Sequence, residues 1–130
     1  AHMHPPCPFD LWPEGRVPTT VVAVHPDFLR RHPETVRRFL EAHVAITREI
    51  QADPEGSRAQ VQQALADLQG RPLSDEVMES AWGRIDFTYD PMADAVDELA
   101  GRAFAAGLLG ARRPDLTSLY DLTLLQEVAP

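Results

Sequence analysis

The chain has 130 residues, 44% hydrophobic and 25% charged, which is the length and balance of one ordinary globular domain rather than of a disordered segment. With 20 acidic against 12 basic residues the formal net charge is −8, a balance that disfavours nucleic acid or an anionic membrane as a partner. Cys7 is the single cysteine, so no intrachain disulfide can form, and no stretch approaches the roughly 18 to 20 apolar residues needed to span a bilayer.

Residues 1 to 16 carry four prolines and a glycine and are expected to be irregular. Ala1-His2-Met3 reads as a cloning or protease-site scar, which would have replaced any native export signal. His2, His4 and Cys7 are side-chain types that suit zinc or nickel, yet they lie in or beside that scar among Pro5, Pro6 and Pro8. No metal site is read there. Phe9, Leu11 and Trp12 are large side chains of the kind that anchor a loop to a core or line a pocket.

Residues 17 to 130 read as a single, mostly helical domain with one leading strand. Val17-Pro18-Thr19-Thr20-Val21-Val22-Ala23-Val24 is the one good β signal, with the strand proper from about Thr19 to His25. Val21, Val22 and Val24 make it apolar on both parities, the mark of an interior strand covered on both faces. A lone strand cannot satisfy its backbone, so its neighbours must come from a second copy or from sequence outside this chain.

Pro26 to His32 predicts a short helical turn, and Pro33 opens the first long helix at a favoured early position. Val36, Phe39, Leu40, His43, Val44, Thr47 and Ile50 recur at three- and four-residue spacing as one apolar stripe, with His43 read as a packed histidine. Asp53-Pro54-Glu55-Gly56 interrupts that pattern. A second helix follows from about Gly56 to Leu68, with Val61, Ala64, Leu65 and Leu68 inward and Gly70 closing it. Ser74 or Asp75 caps a third helix that groups Val77, Met78, Ala81, Trp82 and Ile85.

Ile85-Asp86-Phe87-Thr88-Tyr89 is a short extended piece, a second strand candidate. Asp90 is placed to cap a helix beginning at Pro91 and running to about Ala106. Its inward residues are Met92, Val96, Leu99, Ala100, Ala103 and Phe104, and Gly107 is its terminator. A turn at Leu119-Tyr120-Asp121 leads to a last short helix with Leu122, Leu125 and Val128.

Catalytic signals are sparse, and the chain is read as no enzyme. Val24-His25-Pro26-Asp27 is no phosphate loop, because proline removes an amide donor such a loop would use. Ser74, Ser80 and Ser118 sit on no sharp nucleophile turn, and Asp94, Asp97 and Glu98 are acids in a helix's first turns.

The order of motifs resembles one family. Leu11-Trp12-Pro13-Glu14-Gly15-Arg16, followed by Pro18-Thr19-Thr20-Val21-Val22, resembles the segment in which an ABC-transporter solute-binding protein of the aliphatic sulfonate, nitrate and taurine group crosses back into its first lobe. His25-Pro26-Asp27-Phe28-Leu29, His32-Pro33-Glu34-Thr35-Val36 and Phe39-Leu40-Glu41-Ala42-His43 resemble that group's strand-to-helix passage. Arg84 to Pro91, Gly107-Leu108-Leu109, Pro114-Asp115-Leu116 and Leu119 to Leu122 extend the likeness to about residue 128.

The resemblance implies an α/β fragment, predominantly helical with one or two strands. It would be the C-terminal part of a periplasmic-binding-protein-like fold of the second type, finishing the first lobe. It implies uptake of a sulfonate, nitrate or related small solute, a membrane permease as partner, and a periplasmic or exported location, with no cofactor and no metal. Most of the family's anion-binding loops would lie outside this chain. Trp12, Thr19 and Thr20 are the candidate ligand contacts near the expected crossover. The alternative is a stand-alone helical interaction or dimerisation domain without solute binding. Both readings leave an apolar strip or strand edge uncovered, which predicts a homodimer made by strand pairing or by exchange of the N-terminal segment.

Overall fold

The computed structural model describes residues 16–129. Among them are six helices: α1 (Pro26–Arg31), α2 (Pro33–Ala52), α3 (Pro54–Gln69), α4 (Asp75–Trp82), α5 (Ala93–Ala105) and α6 (Thr123–Val128). No described residue lies in a strand. The expected α/β fragment of a periplasmic-binding-protein-like fold is therefore corrected to an all-helical arrangement.

The physical reason lies in the leading segment. A β-ladder needs a neighbouring extended segment to take its amides and carbonyls, and the described residues provide none. Residues 17–24 carry no regular secondary structure, and Val21, Val22 and Val24 are 59%, 48% and 37% exposed instead of covered on both faces. The stretch Ile85 to Tyr89 likewise forms no strand and is held by side-chain contacts described below.

The helices themselves follow local sequence. Pro33 and Pro54 occupy the first helical position of α2 and α3, where their missing N–H is one the helix would leave unbonded. Asp53 joins these two helices. Its amide donates to the Glu49 carbonyl at 2.9 Å, and its Oδ1 accepts from the Gly56 amide at 2.9 Å, so one residue closes α2 and caps α3. Ser74 Oγ caps α4 by accepting from the Val77 amide at 3.3 Å. Gly70 and Gly107 end α3 and α5 with φ of +73° and +75°, as expected of glycine terminators. After α5 the Leu108 amide reaches the Ala103 carbonyl and the Gly107 amide reaches Phe104, the two bonds of a Schellman ending.

The start of α5 departs from expectation. It begins at Ala93 rather than Pro91, because Met92 takes a left-handed φ of +53°. Asp90 still acts at this corner, its Oδ1 accepting from the Met92 amide at 2.9 Å, but it shapes the turn before the helix.

The described chain forms two compact units. One comprises residues 16–30 with Asp90–Thr123. In it Ala95 is buried, Val96, Ala100, Ala103 and Phe104 are half-buried, and Leu99 is exposed. Arg113 returns to α5, donating to the Asp97 carbonyl at 3.0 Å and pairing with its Oδ2 at 2.6 Å.

The other unit comprises Arg31–Tyr89 with residues 124–129. Here α3 packs on α2 and α4 packs on α3. Val36, Val44, Thr47 and Met78 are its buried larger side chains, with Val44 only 3% exposed. Thr47 satisfies its hydroxyl by donating to the His43 carbonyl at 2.8 Å. His43 itself is half-buried and stacks on Phe39, ring centroids 6.2 Å apart and nearly coplanar in tilt at 8°. Arg37 pairs with Glu34 one turn before it and with Glu127 of α6, which raises its pKa chiefly through the Glu127 hydrogen bond.

Candidate functional site

Of the three predicted ligand contacts, Trp12 lies outside the described residues, as do His2, His4 and Cys7. Thr19 and Thr20 are exposed in the irregular leading segment, and neither lines the two hollows of the α2–α4 unit. Among the described residues no group of three histidine, cysteine, aspartate or glutamate side chains is placed to hold a metal ion.

Two concavities lie within the α2–α4 unit. The first is a shallow hollow of about 170 Å³ where the end of α2 meets the segment after α4. Trp82 and Phe87 form its aromatic wall, with ring centroids 4.9 Å apart and planes tilted by 43°. Gln51 Nε2 donates to the Phe87 carbonyl at 2.8 Å and fixes the segment against α2. Two residues further on, Arg48 lies over the Tyr89 ring, its guanidinium carbon 5.7 Å from the centroid. The outcome is a pinned corner, mostly apolar, with Asp86 at its edge.

The second hollow, about 270 Å³, lies between α3 and α4. It offers the Arg58 guanidinium and the Gln62 amide, facing the acids Glu55, Asp75 and Glu79. Gln62 Nε2 donates to the Leu73 carbonyl at 2.6 Å, while its Oε1 is enclosed without a hydrogen-bond partner. Three carboxylates against one guanidinium repel an anion more than they attract it. Both hollows are smaller than the roughly 300 to 1,000 Å³ of ordinary ligand pockets.

Titration is perturbed at three further groups, and each has a local cause. Hydrogen bonds from Thr117 hold the Asp115 carboxyl below its ordinary range, and those from Thr123 do the same for Asp121. Tyr120 is pushed up by loss of solvent and, after that, by the charge of Asp97. The two carboxylates serve as turn and cap acceptors, with amide contacts of 3.0 Å from Thr117 and 3.1 Å from Thr123.

Reading the chain by spacing alone missed the corner built by Gln51, Trp82 and Phe87. Trp82 was expected as core, and it is half-buried there. Gln51 and Phe87 are 36 residues apart, and no periodicity links them. Arg58 and Gln62, one turn apart on α3, carried a legible signal as a polar pair on one face.

No family model matches this chain, and no curated protein and no solved structure matches it either.

Proposed function

We propose that this chain is the C-terminal piece of a solute-binding protein that serves ABC-type uptake of a sulfonate, nitrate or related small compound. It acts without catalysis and is exported with the rest of that protein, whose partner is a membrane permease. One observation carries the reading beside the family resemblance. Apolar side chains at Val21, Val22 and Val24 stand in solvent, although this run is patterned as a segment covered on both faces. Faces of that kind belong to a piece whose covering segments are encoded elsewhere.

Neither of the two hollows is a ready anion cleft, since both are small and the more polar one is acid-rich, which is consistent with this division of labour. Thr19 and Thr20, both exposed residues, keep the role of candidate solute contacts, and Trp12 keeps its own from sequence. No described helix is long and apolar enough to cross a membrane.

The test uses the protein with its native upstream sequence. Thermal unfolding is followed with taurine, an alkanesulfonate, nitrate and sulfate in turn. A cognate solute at a hundred times its Kd stabilises by about 2.7 kcal/mol, a shift readily seen by scanning fluorimetry. The 130-residue chain alone is expected to show no micromolar binding in calorimetry. A flat response of the longer protein to the whole panel overturns the reading. The second reading, a helical association domain without solute, is favoured by the open face of α2 considered next.

A further inference from the structure

The apolar arc of α2 is wider than the surface its own unit covers. At 100° per residue, Ile46, Phe39, Ile50, His43, Val36, Thr47, Leu40 and Val44 follow one another over about 160° of the helix circumference. Val36, Thr47 and Val44, toward one side of that arc, are buried. Phe39 and Ile46, at the other margin, are 53% and 56% exposed. Phe39 stacks on His43, which lies on the same arc.

Next to this margin the exposed residues are Thr35, Arg38, Ala42 and Glu49. Ala42 sits at the middle, where a small side chain lets a second helix approach closely. Arg38 and Glu49 lie near the two ends, eleven residues apart, which is about three turns and roughly 16 Å along one face. Among the described residues neither side chain makes a hydrogen bond or ion pair. At that separation they cannot pair with each other within one helix.

We infer that this face binds a second copy of the chain, α2 against α2 in antiparallel orientation about a two-fold axis beside Ala42 and His43. The charges choose the occupant. Turning one helix end for end places Arg38 of each copy opposite Glu49 of the other, so both ends are satisfied by one symmetric contact. With the axis level with His43, Arg38 with Glu49 and, on the other margin, Phe39 with Ile46 each come within about one residue, roughly 1.5 Å of rise, of lying directly opposite. A parallel partner would put Arg38 against Arg38 and Glu49 against Glu49. This contact goes beyond the proposed transport role and requires neither strand pairing nor exchange of the N-terminal segment.

The test is sedimentation velocity of the 130-residue chain from 1 to 200 μM, about 0.15 M salt screening the −8 charge of each copy. The wild-type chain forms a dimer in this range. Arg38→Glu alone and Glu49→Arg alone each weaken it roughly ten-fold or more, since both pairs become repulsive. An equimolar mixture of the two variants restores a heterodimer within about three-fold of wild type, because every facing pair is again opposite in sign. Ile46→Glu removes association at all these concentrations. Every substituted position is exposed, and unchanged far-ultraviolet circular dichroism verifies that each variant folds. A wild-type monomer at 200 μM, an affinity indifferent to the charge reversals, or a mixture that fails to associate overturns the inference.

Discussion

Replacing Gly56 by alanine should change sign in its effect on stability according to what stands at position 53. Glycine inside a helix costs roughly 0.5 to 1 kcal/mol relative to alanine, so Gly56→Ala by itself ought to stabilise α3. A Cβ at position 56, however, would lie 2.1 Å from Asp53 Oδ2 and 2.8 Å from its Cγ. The aspartate must swing away, and the hydrogen bond from the Gly56 amide to Oδ1 at 2.9 Å goes with it. Loss of such a cap costs typically about 1 kcal/mol. In the wild-type background the two terms offset, and Gly56→Ala comes out between neutral and about 0.5 kcal/mol destabilising. In the Asp53→Ala background the cap is already absent and no carboxylate is in the way, so the same change stabilises by roughly 0.5 to 1 kcal/mol. The assay is urea unfolding of the four chains, followed by circular dichroism at 222 nm and arranged as a double-mutant cycle. A coupling near 1 kcal/mol is expected. Equal stabilisation by alanine in both backgrounds would refute the geometry at the junction of α2 and α3.

Two other outcomes follow from the site geometry. Phe87→Ala removes the ring 4.9 Å from Trp82, so the near-ultraviolet circular dichroism of the indole should collapse and stability should fall by at least the roughly 0.5 to 1.5 kcal/mol of an aromatic pair. Asp115 and Asp121 have depressed pKa values in the folded chain, so their contribution is fully present above the ordinary value of 3.8 and is lost as pH falls through their folded values. Nuclear magnetic resonance of the Thr117 and Thr123 amides should report both transitions below 3.8, and Asp115→Asn should abolish the first alone.

Much of the helical layout was legible residue by residue. Pro33, Ser74, Gly70 and Gly107 act at the helix ends where their local chemistry places them, because capping and backbone freedom depend on a few neighbouring residues. The periodic stripe of α2 was legible too, down to His43 as a packed side chain. Several local readings failed, among them the inward face read for the second helix, where Val61, Ala64 and Leu68 are exposed. Asp90 spends its carboxylate on the turn at Met92, and Val77 and Ile85, grouped by spacing with Met78, are exposed.

By itself the chain's order of residues determined where most of the helices begin and end and which faces are apolar. Tertiary structure alone decided the fate of Val17 to Val24, since a strand exists only when another segment takes up its hydrogen bonds and the described residues offer none. It also decided which half of the α2 arc is covered, and that Gln51 reaches Phe87 across 36 residues. Both are matters of what meets what in space. Pattern states that a face is apolar, and packing states whether anything lies against it.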